Sequence, residues 1–253
     1  MVAAPWDGIY AWLAAAALAS ARVGPIFLTL PFLGASVLPS GARIAVATLV
    51  GMALLPAPDT SLLKAGVDLP GLLHEAGIGL LLSCLLAWPF WVVQAWGAIA
   101  DNMRGATLAA ILDPSSGAES SELANLLQLL AAAVFLQAGG VPLMLELIQH
   151  SYQLCPPLQP CTLALPPLLA LLGRTLASAL LLASPLIGGA LAADVALGML
   201  SRLTPQLNAF ALSLTLKSML VIALLLLYVG SELPTALSTA TLPLEAALRP
   251  PAA

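Results

Sequence analysis

Residues 71–100 read GLLHEAGIGLLLSCLLAWPFWVVQAWGAIA, thirty positions in which Glu75 is the only formally charged side chain. A helix needs about 20 mostly apolar residues to cross a bilayer, and this run exceeds that. Five more stretches qualify wholly or marginally: 9–30, 42–57, 123–148, 167–201 and 206–230. The 42–57 stretch is short for a span, and 167–201 is long enough to tilt or break. Prolines punctuate the gaps: Pro31 and Pro39, Pro56 and Pro58, Pro156 to Pro167, and Pro205. The expected fold is all-α, a polytopic hydrophobic membrane protein of about six long apolar helices arranged as hairpins. Residues 1–253 are expected to form a single domain with a short, frayed tail over 232–253.

Composition agrees. The chain is 60% hydrophobic and 8% charged, with a mean hydropathy of +1.02, against roughly half apolar in soluble domains. Eight basic and twelve acidic residues give a net charge of −4, so neither nucleic acid nor a polybasic lipid contact is implied. Residues 17–21, ALASA, look like a signal-peptidase site. However, no Lys or Arg precedes them, Asp7 does, and the apolar run resumes past Arg22, so the segment is read as a retained helix.

Three cysteines make no disulfide framework, although Cys155 and Cys161 bracket a tight PPLQP loop. They are open to pairing if the loop faces an oxidising periplasm, and otherwise are two free thiols. His74 and His150 carry no CxxC or HExxH pattern, so no metal, cofactor or catalytic group is expected. The pair His74-Glu75 reads as a helix end.

In so apolar a chain, charges need a partner, a wet surface or a function. Arg22, Arg174, Asp194, Arg202 and Lys217 all raise the question. Asp194, Gly198 and Arg202 follow one another at four-residue intervals and share a helical face. Ser184, Gly188 and Ala192 form a second such stripe, small enough for another helix to approach. This face is read as packing between helices or subunits, because no chain of carboxylates or histidines accompanies Asp194 as a proton relay would require. The segment 97–127 concentrates charge in the same way: Asp101 and Arg104 are three apart and able to pair. Asp113-Pro114-Ser-Ser-Gly117 has the residues of a turn, and Ser120 or Ser121 is placed to cap a helix starting near Glu122, with Glu119 and Glu122 at its positive end. The segment reads as helix end, polar turn and helix start, equally compatible with a solvated loop and with a docking surface. If the N-terminus faces outward, the inward loops carry Arg43, Arg104 and Arg202, a slight positive-inside bias.

These residues resemble a known family. Asp101-Asn-Met-Arg104-Gly105-Ala-Thr, then Asp113-Pro114 and Gly117, Phe135, Gly139-Gly140, Ser151-Tyr152 and Pro156 are similar to the T subunit of the bacterial type III secretion export apparatus, the SpaR/YscT/HrcT family. Ala183-Ser184-Pro185-Leu186, Asp194-Val-Ala-Leu-Gly198, Ser201-Arg202, Pro205-Gln206-Leu-Asn208 and Lys217-Ser218 follow the same pattern, as do Arg22, Pro25, Phe27, Pro31, Pro39 and Arg43. The resemblance covers about residues 10–230. Flagellar FliR proteins are cousins that tend to lack the Asn-x-Arg-Gly form and to carry histidine where this chain has Val141.

The resemblance implies a structural and gating subunit in the bacterial inner membrane, one T copy assembling with several R and S subunits and working with the U and V subunits to pass unfolded substrates. It implies hairpins packed on other subunits, within membrane lipid, and raised toward the periplasm. It offers Asp101, Arg104, Asp194, Gly198, Arg202, Gln206 and Lys217 as inter-subunit or gate contacts, with Asp194, Arg202 and Lys217 satisfied by neighbours. Two alternatives remain beside it: a flagellar export-gate homologue, and a small-solute transporter coupled through Asp194 and Arg22. The transporter would favour inverted repeats, which are not evident. A polytopic enzyme would need a nucleophile and base or a metal cluster, and the sequence offers no motif for one.

Overall fold

The computed structural model describes residues 5–34, 37–56, 68–105, 121–159, 165–203 and 209–248. Among them are seven α-helices: α1 Pro5–Thr29, α2 Ser40–Leu54, α3 Leu69–Met103, α4 Glu122–Gln137, α5 Gly140–Leu154, α6 Leu165–Leu203 and α7 Ala209–Leu248. A single 3-10 turn, Pro31–Leu33, follows α1. Stretches within α1, α3, α6 and α7 are long and apolar enough to cross a bilayer, and α4 with α5 makes a fifth if the bent pair is one span. The all-helical, polytopic expectation is met, and α2, at 15 residues, is short as its sequence indicated.

Two expectations are corrected. The run 123–148 is not one helix, because Gly139 adopts φ 85° and the chain bends by 78° between α4 and α5. Only glycine takes that left-handed conformation without a Cβ penalty, and apolar periodicity carries no sign of it. The tail over 232–253 does not fray at Glu232, since α7 runs to Leu248. Leu233 and Leu237 are buried there, and the hydroxyls of Ser231, Thr235 and Ser238 donate to carbonyls three or four residues back.

By contact, the described residues group into two compact units. One draws on Met1–Trp88, Leu136–Leu169 and Thr241–Ala253, the other on Pro89–Phe135 and Ala170–Ala240. In the first, α1 buries Ala15, Leu18, Ala19, Arg22, Val23, Ile26 and Phe27, the i, i+3, i+4 stripe of a helix with one core face. Helix α2 packs on α1 and also touches α5. A Cβ on Gly51 would stand 2.8 Å from the Ala19 carbonyl oxygen, and one on Gly79 of α3 would stand 2.1 Å from that of Arg22. These glycines let backbones approach where no side chain fits.

The second unit is built on the latter part of α3. Phe90 meets Phe135 of α4 edge to face at 5.2 Å, and a Cβ on Gly97 would lie 2.5 Å from the Ala124 Cα. Further along, α6 and α7 meet where a Cβ on Gly189 would stand 2.6 Å from Leu224 Cδ1, and Ala183, Leu186, Ala190, Val221 and Leu225 of these helices are buried.

Candidate functional site

Helix α3 carries a buried stripe with a carboxylate near each end: Glu75 and Asp101, each 1% exposed. Each has recruited a cation and backbone donors, as a buried charge must.

At Glu75 the cation is Arg22 of α1. Its Nε donates to Glu75 Oε2 at 2.6 Å, with the two side chains 0% and 1% exposed. Arg22 Nη2 donates to the Cys155 carbonyl at 2.9 Å, Nη1 makes a long contact of 3.5 Å to Ser151 Oγ, and the guanidinium lies 4.2 Å from the Tyr152 ring centre. Ser151 Oγ in turn donates to the Ile148 carbonyl at 2.6 Å. The second oxygen of Glu75 accepts the Leu158 N–H at 3.3 Å. A planar, permanently charged fork suits such a place, since several donors must be met at once. Sequence reading singled out Arg22 but took Glu75 for a helix end. The signal was present: Glu75 shares the periodicity of Ile78, Gly79, Leu82, Ser83 and Leu86, and Arg22 that of the α1 core.

At Asp101 the expected pair forms, with Arg104 Nε 2.6 Å from Oδ1. The other oxygen accepts the Leu123 N–H at 2.9 Å and bonds the Ser121 hydroxyl, while Ser121 Oγ accepts the Ala124 N–H at 3.4 Å. Ser121 therefore caps α4, and Asp101 satisfies a further N-terminal donor from 22 residues away. A carboxylate at that positive helix end is favourable in its own right. Sequence reading found the cap and the pair separately and missed that Asp101 joins them.

Asp194 of α6 pairs with Lys217 of α7, Nζ to Oδ2 at 2.6 Å, with the side chains 43% and 20% exposed respectively. Asp194 and Lys217 thus find counter-ions in one another, and Arg202, the base on the helical face of Asp194, is not its partner. Arg202 is exposed and makes no salt bridge among the described residues. Gly188 and Gly198 have no foreign atom within 4 Å of a built Cβ, so that face of α6 is open. Gln206, the turn at Asp113-Pro114 and Glu119 lie outside the described residues. Cys155 is disulfide-bonded and Cys84 is free; Cys161 lies outside the described residues.

The arrangement holds helices together and leaves α6 and α7 bare. Comparison with known proteins agrees with a part in protein export. The family model for bacterial export proteins, family 1, matches residues 13–240. The chain is 46% identical over 228 residues to the surface presentation of antigens protein SpaR of Salmonella typhimurium, covering 89% of this chain and 87% of that one. It is 32% identical over 229 residues to the secretion system apparatus protein SsaT of the same species, covering 85% and 87%. Against the flagellar biosynthetic protein FliR of Caulobacter vibrioides, identity is 28% over 222 residues, covering 84% and 87%. With the family pattern running through both helical units, the chain belongs to the bacterial export proteins, on their SpaR/YscT/HrcT branch.

Proposed function

We propose that this type III export-gate subunit has a structural and gating role with no chemistry of its own. In this reading residues 1–253 act as one domain, a single copy joins R and S subunits in the bacterial inner membrane, and the U and V subunits complete the path for unfolded substrates. The observation that carries it is the unequal burial of the spans. The apolar window of α3 is 61% buried within the chain, whereas those of α6 and α7 are 22% and 11% buried. Apolar surface on this scale requires lipid or partner helices, and the open small-residue face at Ser184, Gly188 and Ala192 suits close helix approach. Arg202 and Gln206 are proposed as partner contacts, together with the exposed edge of the Asp194–Lys217 pair around Gly198. Asp101 and Arg104 are proposed to hold the gate-side junction of α3 and α4. Deleting the chain from its own bacterium should stop release of the proteins exported through this apparatus, and re-expression should restore it. Undiminished export without the chain would contradict the reading.

A further inference from the structure

Two hydrogen bonds of the Arg22–Glu75 cluster go to the backbone of the loop that follows α5. The Cys155 carbonyl serves Arg22, and the Leu158 N–H serves Glu75. The loop therefore touches both members of the buried pair. Leu158 holds φ 61°, a left-handed conformation that residues other than glycine adopt only when their surroundings fix it. Three anchors surround it. One is the bond to Glu75. Another is the first turn of α3, where a Cβ on Gly71 would stand 3.0 Å from Leu158 Cδ2. The third is the disulfide at Cys155, the residue at which the loop begins.

We propose that the disulfide at Cys155 is an oxidation-set latch on the buried ion pair: its closure fixes the loop in the conformation that presents the Cys155 carbonyl to Arg22 and the Leu158 N–H to Glu75. Closure joins two thiols in one S–S bond. The two electrons and two protons given up reduce the disulfide of a thiol–disulfide oxidoreductase to a dithiol. Such chemistry belongs to an oxidising compartment, so completion of this core is tied to the chain's exposure there. With the latch open, Arg22 and Glu75 each lose a hydrogen-bond partner while remaining buried, which favours local opening of the loop.

The test uses the full chain. Cells are lysed into N-ethylmaleimide to trap free thiols, and the protein is extracted in mild detergent. Amide exchange is then followed by mass spectrometry with and without a phosphine reductant, reduction being verified by the mass gained on a second alkylation. Cys155 should escape the first alkylation, and reduction should speed exchange at residues 155–159 by about tenfold or more. Cys155→Ser should show the same fast exchange without reductant, and Cys84→Ser should exchange like the parent in both states. Labelling of Cys155 in the first step, or verified reduction with unchanged exchange at 155–159, overturns the proposal.

Discussion

Arg22 shows how little freedom a buried charge leaves its neighbours. Its guanidinium is met by a carboxylate, a carbonyl, a hydroxyl and an aromatic face, and no single one of these would offset the loss of water. Glu75→Gln keeps the shape and removes the counter-charge, so it should destabilise the chain by about 3–5 kcal/mol. The double change Arg22→Met with Glu75→Leu removes both charges and should be milder than Glu75→Gln alone, because the larger penalty lies in leaving one charge unpaired. Thermal unfolding of the purified chain in detergent checks the order of the two variants. A double variant as unstable as the single one would mean that the hydrogen bonds, not the charge, hold this core. The sequence made Arg22 conspicuous because it interrupts an apolar run. It hid Glu75, since a carboxylate a few residues into a helix looks the same whether it faces water or a partner 53 positions away. The pairing of Asp101 with Arg104 was legible because both sit on one helix, whereas the bond from Asp101 to the start of α4 depends on where the chain returns.

At the level of helices, glycine decides which pairs approach closely. Gly79 meets the Arg22 backbone and Gly97 the Ala124 backbone, contacts that cannot yield as the end of a flexible side chain can. Gly79→Ala should therefore force α1 and α3 apart and destabilise the chain by about 3 kcal/mol, the upper end for overpacking. Gly188→Ala should leave the isolated chain within about 0.5 kcal/mol of the parent, as at an unobstructed surface site. Unfolding midpoints for both variants test the contrast, and equal stability for Gly79→Ala would show that the two backbones have room to spare. Spacing in the sequence puts Gly188 in a small-residue stripe and Gly198 between Asp194 and Arg202 on one helical face, yet within the chain both positions are open. Gly79 opens a small-residue series with Ser83 and Ala87, whereas Gly97 belongs to none, and for both the crossing backbone is what makes glycine necessary. The element boundaries were largely legible because long apolar runs define them. The bend at Gly139 was less so: the Gly139-Gly140 pair stands in the sequence, but hydrophobic spacing continues across it.

Across the described residues of the whole molecule, the buried charges find partners within the chain, while much of the apolar surface finds no cover there. Arg22 with Glu75, Arg104 with Asp101 and Lys217 with Asp194 pair within the chain, while α6 and α7 keep many large side chains exposed, among them Leu181, Val195, Met199, Leu226 and Leu227. The membrane class and family were legible from composition and from polar residues recurring at family positions. How much of each span the chain covers by itself was not, since an apolar residue reads alike in a core, in lipid or in an interface. The proposed role has α6 and α7 covered by other export-apparatus subunits. That coverage is measured by the native mass of the particle obtained when the chain is expressed with the proposed R and S subunits and extracted in mild detergent. One particle mass is expected, containing a single copy of this chain with several R and S subunits. A monodisperse monomer or homodimer that excludes both partners would contradict it.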